Sequence, residues 1–296
     1  QMNGKPFFGP GPGREEFLRR LKYFLLTFSG CFLLFSMMYL GFMTVFHPDA
    51  YTAATTAQPE EDAYRPEEED AMTVLFIGAS DADTAGVFLV VRFDPAGGRV
   101  PVAELPGDML VDNNGRQESI GEVYRYGGAS YTRDCLARQL GIAIDRYVKM
   151  QKAAFIEAAD AVGTYEYELE SDVTVRSGGA QLQMKAGRQL LDGQRTTAIL
   201  ETSGQEMGAG RMAVSIINQR IDIALTTVVD KLFERIINMV DSDIIGPDYH
   251  LRKDAAAHLA EQGGEPAYLI PVSGERDGEG FHMSDTAVAR LRREFG

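Results

Sequence analysis

The hydrophobic and polar positions fall into three regimes along the chain. Phe24 to Phe46 contains no charged residue. At about 1.5 Å per residue this run extends about 34 Å, enough to cross a bilayer core of about 30 Å. A cleaved signal peptide has a shorter apolar stretch followed by a small-residue cleavage site, so the pattern predicts one transmembrane helix over 24–46. Tyr51 to Asp70 is the reverse, with Pro59-Glu60-Glu61-Asp62 and Pro66-Glu67-Glu68-Glu69-Asp70. Self-repelling carboxylates and prolines keep such a segment extended, so residues 47–71 read as an acidic stalk. From Met72 onward the pattern is that of a globular domain, 72–296.

Within the domain, Met72 to Gly78 and Gly86 to Phe93 are continuous apolar runs, expected for strands buried on both faces. Asp94-Pro95-Ala96-Gly97-Gly98 is a turn, and Val100 to Leu105 is a third strand. A helix is expected from Thr132 as N-cap to Leu140, stopped by Gly141. Tyr147 to Met150 reads as a strand, Ala153 to Val162 as a helix, and Glu166 to Val175 as an edge strand or hairpin arm. Lys185 to Leu200 mixes a turn, a short helix and a strand. Val214, Ile217, Ile221, Leu225, Val228, Leu232 and Ile236 recur at spacings of three and four, which predicts one long helix over Ala209 to Val240. Ala267 to Pro271 is a late strand, and Ser284-Asp285 caps a closing helix that ends at Phe295. Strands and helices mixed in this way indicate a layered α/β domain.

Charge fixes the orientation and removes some functions. Lys5, Arg14, Arg19, Arg20 and Lys22 precede the apolar run, and the first basic residue after it is Arg65. Positive-inside logic then places residues 1–23 as a tail in the cytoplasm and the domain outside the cytoplasmic membrane. The net charge of −14 argues against nucleic acid as a partner, and no basic recognition helix is present. Of two cysteines, Cys31 lies in the apolar run, which leaves Cys135 with no partner for a disulfide in the domain. Cys135 is expected as a buried packing residue. Four scattered histidines offer little for zinc, whereas Mg2+ held by carboxylates stays open.

The domain resembles the LytR-CpsA-Psr family of bacterial cell-envelope proteins from Met72 to Gly296, motif by motif. Leu75-Phe76-Ile77-Gly78-Ala79-Ser80-Asp81 is similar to the family's opening strand and acidic loop. Leu105-Pro106-Gly107-Asp108 resembles its Ile-Pro-Arg-Asp segment, and Val123-Tyr124-Arg125-Tyr126-Gly127-Gly128 its Ala-Tyr-Ala-Tyr-Gly-Gly. Asp160-Ala161-Val162-Gly163, Leu190-Leu191-Asp192-Gly193-Gln194 and Gly210-Arg211 follow in the family's order. The resemblance implies a mixed central β-sheet between helical layers, an αβα sandwich with a hydrophobic pocket for a polyprenyl tail. It also implies transfer of a glycopolymer from a polyprenyl pyrophosphate to peptidoglycan. Arginines would hold the pyrophosphate and aspartates a magnesium ion.

Measured against that pattern, cations are missing. Gly107 stands at the arginine of Ile-Pro-Arg-Asp, Glu201 and Ser203 at the two arginines of Tyr-Val-Arg-Thr-Arg, and Val214 at a further one in the long helix. Arg211 persists as a candidate phosphate ligand, with a surface ion pair to Glu206 as its plain alternative. Arg125 is a candidate replacement cation, and Asp81 or Asp83 candidate magnesium ligands. Glu201 is expected in a core strand, paired with Arg195 or Arg220, and Asp108 orients the turn after the third strand. Three readings follow. The first is a degenerate member, with catalysis lost or weakened, that binds a polyprenyl-linked or apolar ligand or envelope partners. The second is an active divergent transferase working on a cell-wall polymer, and the third a ligand-free envelope scaffold.

Overall fold

A computed structural model describes residues 64–80, 83–177, 180–202 and 208–296. The apolar run from Phe24 to Phe46, most of the acidic stalk and Asp81 lie outside the described residues. No helix among the described residues is long and apolar enough to cross a membrane.

The first three apolar runs form β1 (Met72–Ala79), β2 (Ala85–Phe93) and β3 (Val100–Leu105). They pair antiparallel in chain order, and the Gly97 N–H donates to Asp94 Oδ1 (3.0 Å) in the turn between the last two. The hairpin β4 (Leu110–Asn113) and β5 (Arg116–Ser119) leads into α1 (Ile120–Leu140). Ser119 and Glu122 close a capping box at its start, and the helix is broken in two at Gly128 (φ 70°). The expected start at Thr132 is therefore corrected. Thr132 is buried in the second half, where its hydroxyl donates to the Gly128 carbonyl (2.8 Å). The polar stretch around Arg125 hid the first half.

Next come β6 (Arg146–Gln151), α2 (Lys152–Val162), β7 (Tyr165–Leu169), β8 (Val173–Ser177), β9 (Ala180–Met184), β10 (Gly187–Leu191) and α3 (Gly193–Thr202). The segment read as one arm from Glu166 to Val175 is two strands, because β7 pairs with β10 and β8 with β9. Glu201 lies on α3, not in a core strand. The single helix expected over Ala209 to Val240 is also broken, into α4 (Ala209–Arg220), a 3-10 turn at Ile221–Leu225 and α5 (Val229–Ile237). Thr226 opens the gap by giving both its N–H (3.0 Å) and its hydroxyl (2.7 Å) to the Ile223 carbonyl. The β-branched run Thr226-Thr227-Val228-Val229 favours such a break. The chain ends with β11 (Asp241–Ser242), α6 (Gly246–Gln262), β12 (Ala267–Ile270), a hairpin of β13 (Gly274–Arg276) and β14 (Phe281–Met283), and α7 (Asp285–Phe295).

Six strands make the central sheet, in the order β11-β6-β1-β2-β3-β12. Parallel pairings of β1 with β6 and β3 with β12 make it mixed. Helices cover both of its faces. On one face Leu75, Ile77, Phe88, Val90, Ala103 and Leu105 meet Tyr124, Leu136 and Leu140 of α1 and Leu291 and Phe295 of α7 in one closed core. On the other, Val74, Leu89, Val100, Val102 and Val148 are buried, and Phe76, Val87, Val91, Phe93 and Met150 are half-buried, with Val91 and Phe93 packed against Val214 and Ile217 of α4. Of the helices on that side, α2 fully buries Ala158, α4 buries Ala209, Gly210 and Met212, and α6 buries Ala255 and Leu259. A second, smaller core joins Tyr165, Leu169, Val175, Met184 and Leu191 of the outer hairpins to Ala198 and Ile199 of α3 and Met212 of α4.

At the far end of the sheet, Arg146 forks onto Asp248 through Nε (2.7 Å) and Nη2 (3.0 Å). Burial works to raise the Asp248 carboxyl, but the hydrogen bonds from Arg146 and from the Ile245 N–H outweigh it, aided by the charges of Arg146 and Arg252. The group is held below the ordinary carboxylate range. A depressed carboxylate contributes stability above its unfolded pKa and loses it as pH falls through the folded one. Asp248→Asn is therefore expected to lose less stability than the unsubstituted domain between about pH 5 and pH 2. Urea melts at both pH values test this, and equal losses would refute it.

Candidate functional site

The β1–β2 loop and the turn after β3 leave the sheet at the same end. Ala79 pairs with Ala85 there and Phe88 with Leu105, and Gln151 pairs with Ala79 at the close of β6. The first residue past that pairing is Lys152, which starts α2. This rim, where two parallel strands end, is where sheets of this type place ligands.

Four charged positions define it. Lys152 Nζ lies 2.7 Å from both carboxylate oxygens of Glu201, and both side chains are about half exposed. Glu201 therefore pairs with Lys152, correcting the expected partners. Arg195 goes to Asp192 (3.2 Å) and Arg220 to the Thr164 carbonyl. Arg211 pairs with Glu170, a partner not foreseen, whereas Glu206 lies outside the described residues. The fourth position is Glu104. It sits in an otherwise apolar strand, is buried, and accepts the Gly210 N–H at 2.7 Å.

That last contact sets the electrostatics at the start of α4. A helix N-terminus presents unsatisfied amides and a partial positive charge, which suits an anion. Here the Glu104 carboxylate already takes one of those amides. A side chain at Gly210 would run 2.7 Å from Leu269 and 3.1 Å from Glu104 Oε2, so the glycine permits the approach. The Tyr167 phenol nearby is pushed up, first by burial; Arg211 opposes the shift, and Glu170 and Glu104 add to it. Two carboxylates thus surround the one guanidinium retained from the Gly-Arg motif.

The other predicted residues are scattered. Arg125 is exposed on α1, which packs on one face of the sheet, whereas α4 with Arg211 packs on the other. The two arginines are held by separate layers. Asp83 is exposed in the β1–β2 loop, and Asp81 lies outside the described residues. Among the described residues no three His, Cys, Asp or Glu side chains are grouped to hold a metal. Asp108 does orient its turn, by accepting from Arg276 Nε (2.7 Å) and Nη2 (3.1 Å). Cys135 is buried, its thiol 3.8 Å from the Asp112 carbonyl and pushed up by burial. An open groove of about 450 Å3 lies instead in the outer hairpins, lined by Gln183, Met184, Lys185, Gln189, Leu190 and Arg195. It contains none of the predicted site residues.

A model of the LytR_cpsA_psr family matches residues 42–208. The chain belongs to the LytR-CpsA-Psr family. Among curated relatives it is 24% identical over 193 residues to TagV of Bacillus subtilis, covering 58% of this chain and 49% of that protein. It is 27% identical over 132 residues to TagU of Enterococcus faecalis, covering 42% of each. Both relatives are named polyisoprenyl-teichoic acid–peptidoglycan teichoic acid transferases. The chain spans about half or less of the length of these relatives. Among solved structures, a protein described as a transcription regulator from Eubacterium siraeum superposes with a TM-score of 0.70 at 16% identity, covering 81% of this chain and 96% of that one. The B. subtilis TagV crystal structure superposes at 0.64 with 19% identity, over 76% and 95%. These likenesses establish the mixed α/β sandwich of the LytR-CpsA-Psr fold. The family match ends at residue 208, so α4, α6 and the β13–β14 hairpin follow it.

Sequence reasoning missed Glu104, Lys152 and Glu170. Glu104 carried a signal, as a carboxylate inside an apolar strand needs a donor. Lys152 and Glu170 carried none, because their partners lie 49 and 41 positions away.

Proposed function

We propose that this chain is a single-pass, membrane-anchored envelope protein with its LytR-CpsA-Psr domain outside the cytoplasm. That domain binds a polyprenyl-linked or other apolar ligand, and transfer chemistry is lost or much weakened. The observation that carries this reading is Glu104 on the Gly210 amide, beside an Arg211 already paired with Glu170. A pyrophosphate arriving there meets carboxylates where it needs donors. Losing one charged partner of a phosphate costs about 2–5 kcal/mol, and the chain lacks the family's arginine at Gly107, Glu201 and Val214. The half-buried side chains of Phe76, Val87 and Met150 toward the rim end of the sheet support the apolar side of the reading. So do the polyisoprenyl-linked substrates in the names of TagV and TagU.

Binding of a short-chain polyprenyl pyrophosphate, with and without magnesium, tests it. Magnesium-independent binding driven by the tail is the expected result. Tight magnesium-dependent binding together with polymer transfer to peptidoglycan would refute the loss of chemistry. No binding would refute the ligand.

A further inference from the structure

Leu225, at the end of the 3-10 turn, and Val228, just before α5, stand three positions apart and are 49% and 55% exposed. Thr226 and Thr227 between them are exposed as well, and Ile223 to Val229 contains no charged residue. The tip turns polar groups inward. The Thr226 N–H and hydroxyl both donate to the Ile223 carbonyl, and the Val229 N–H donates to the Thr226 carbonyl (3.4 Å). Donors satisfied inside the turn reduce the cost of leaving water. Helix α5 continues the apolar surface, with Val229, Leu232, Phe233, Ile236 and Ile237 on one side and none of them fully buried. It is tied down behind the tip, by Asp230 to Lys253 (2.7 Å) and the Tyr249 hydroxyl (2.7 Å), and by Arg235 to Glu157 (2.9 Å).

Single exposed apolar residues need no explanation. An uncharged tip that leads into an amphipathic helix is the pattern of a segment that enters the lipid–water interface. The linker permits it. Residues 47–63 join the apolar run to the domain, and at about 3.3 Å per residue they reach about 56 Å. That is enough to bring any side of a domain of this size to the bilayer, and a tether holds the tip there at high effective concentration. We infer that the 225–228 tip dips into the lipid surface, with Leu225 and Val228 among the upper acyl chains. The inference rests on the membrane-anchored reading above and goes beyond it, because it gives the domain a fixed side toward the bilayer.

The full chain reconstituted in liposomes tests it, with Cys31→Ala removing the thiol of the apolar run and Cys135 buried. A nitrobenzoxadiazole probe is placed on Leu225→Cys, on Val228→Cys or, as a control of similar exposure on the outer hairpins, on Leu190→Cys (56%). At 225 and 228 the emission is expected to shift to the blue and to be quenched by lipids brominated on their acyl chains. At 190 it should stay that of a probe in water. Raising salt should change neither result, because the tip is uncharged. Four results would each overturn the inference and leave the anchor intact: no quenching at either tip position, quenching that salt removes, equal quenching at all three positions, or a blue shift without lipid quenching, the sign that a second copy or another part of the chain covers the tip. If alkaline carbonate releases the unsubstituted chain from the liposomes, the anchored reading falls and this inference with it.

Discussion

Replacing Glu201 by arginine is expected to raise the affinity for a polyprenyl pyrophosphate at least about tenfold, a gain of about 1.4 kcal/mol. Glu201 sits at the rim through its pair with Lys152. The substitution removes a repelling carboxylate, supplies a bidentate donor and releases Lys152 from its partner. The cost to the fold is small. An ion pair between half-exposed side chains contributes about 0–1 kcal/mol, so the melting temperature should barely move. Titration calorimetry at low and moderate salt measures the effect. The gain should shrink as salt rises, because exposed charges are screened. An unchanged affinity would mean that the pyrophosphate does not approach the α3–α2 rim, and the site would have to be sought elsewhere.

The largest effect on stability is expected at Phe295. This side chain, 0% exposed, closes the packed face of the sheet next to Leu291. Ser284 caps α7 by accepting the Ala287 N–H (3.2 Å), and Arg292 ties the helix to the Leu140 carbonyl at the end of α1 (2.8 Å). Phe295→Ala leaves a cavity beneath both helices and should cost about 3–5 kcal/mol. Urea denaturation with the midpoint read at constant slope gives the value. A loss below about 1 kcal/mol would show that α7 docks through its polar ties alone, contrary to its place in the core.

The two substitutions probe the charged rim and the packed core of one domain. The α1–α7 side is a closed core of Leu, Ile, Phe and Tyr side chains. The other side buries Val74, Leu89, Val102 and Val148 and packs Val91 and Phe93 against α4, while Phe76 and Met150 stay half-buried.

Much of the fold was legible in the chain itself. Strands β1 to β3, the helix over Lys152–Val162 and the closing helix capped by Ser284 follow from continuous apolar runs, glycine stops and a capping residue, all signals within a few positions. Family membership was legible because six short motifs fall in order. The first half of α1 was not, because the polar stretch around Arg125 hides it, and neither was the break at Thr226, since an apolar stripe at helical spacing continues across a local turn without losing its period. Helix α6 escaped notice as well: its fully buried residues are only Ala255 and Leu259, too few for a readable stripe. The missing cations at Gly107, Glu201 and Val214 are sequence facts. Only the tertiary structure decided what the remaining charges do. Glu104 meets Gly210 across 106 positions, Arg211 meets Glu170 across 41, and Arg276 meets Asp108 across 168. Backbone hydrogen bonds and apolar periodicity are local and leave a trace in neighbouring residues. The pairing of one charge with another is settled by which strand ends the sheet brings to the same rim.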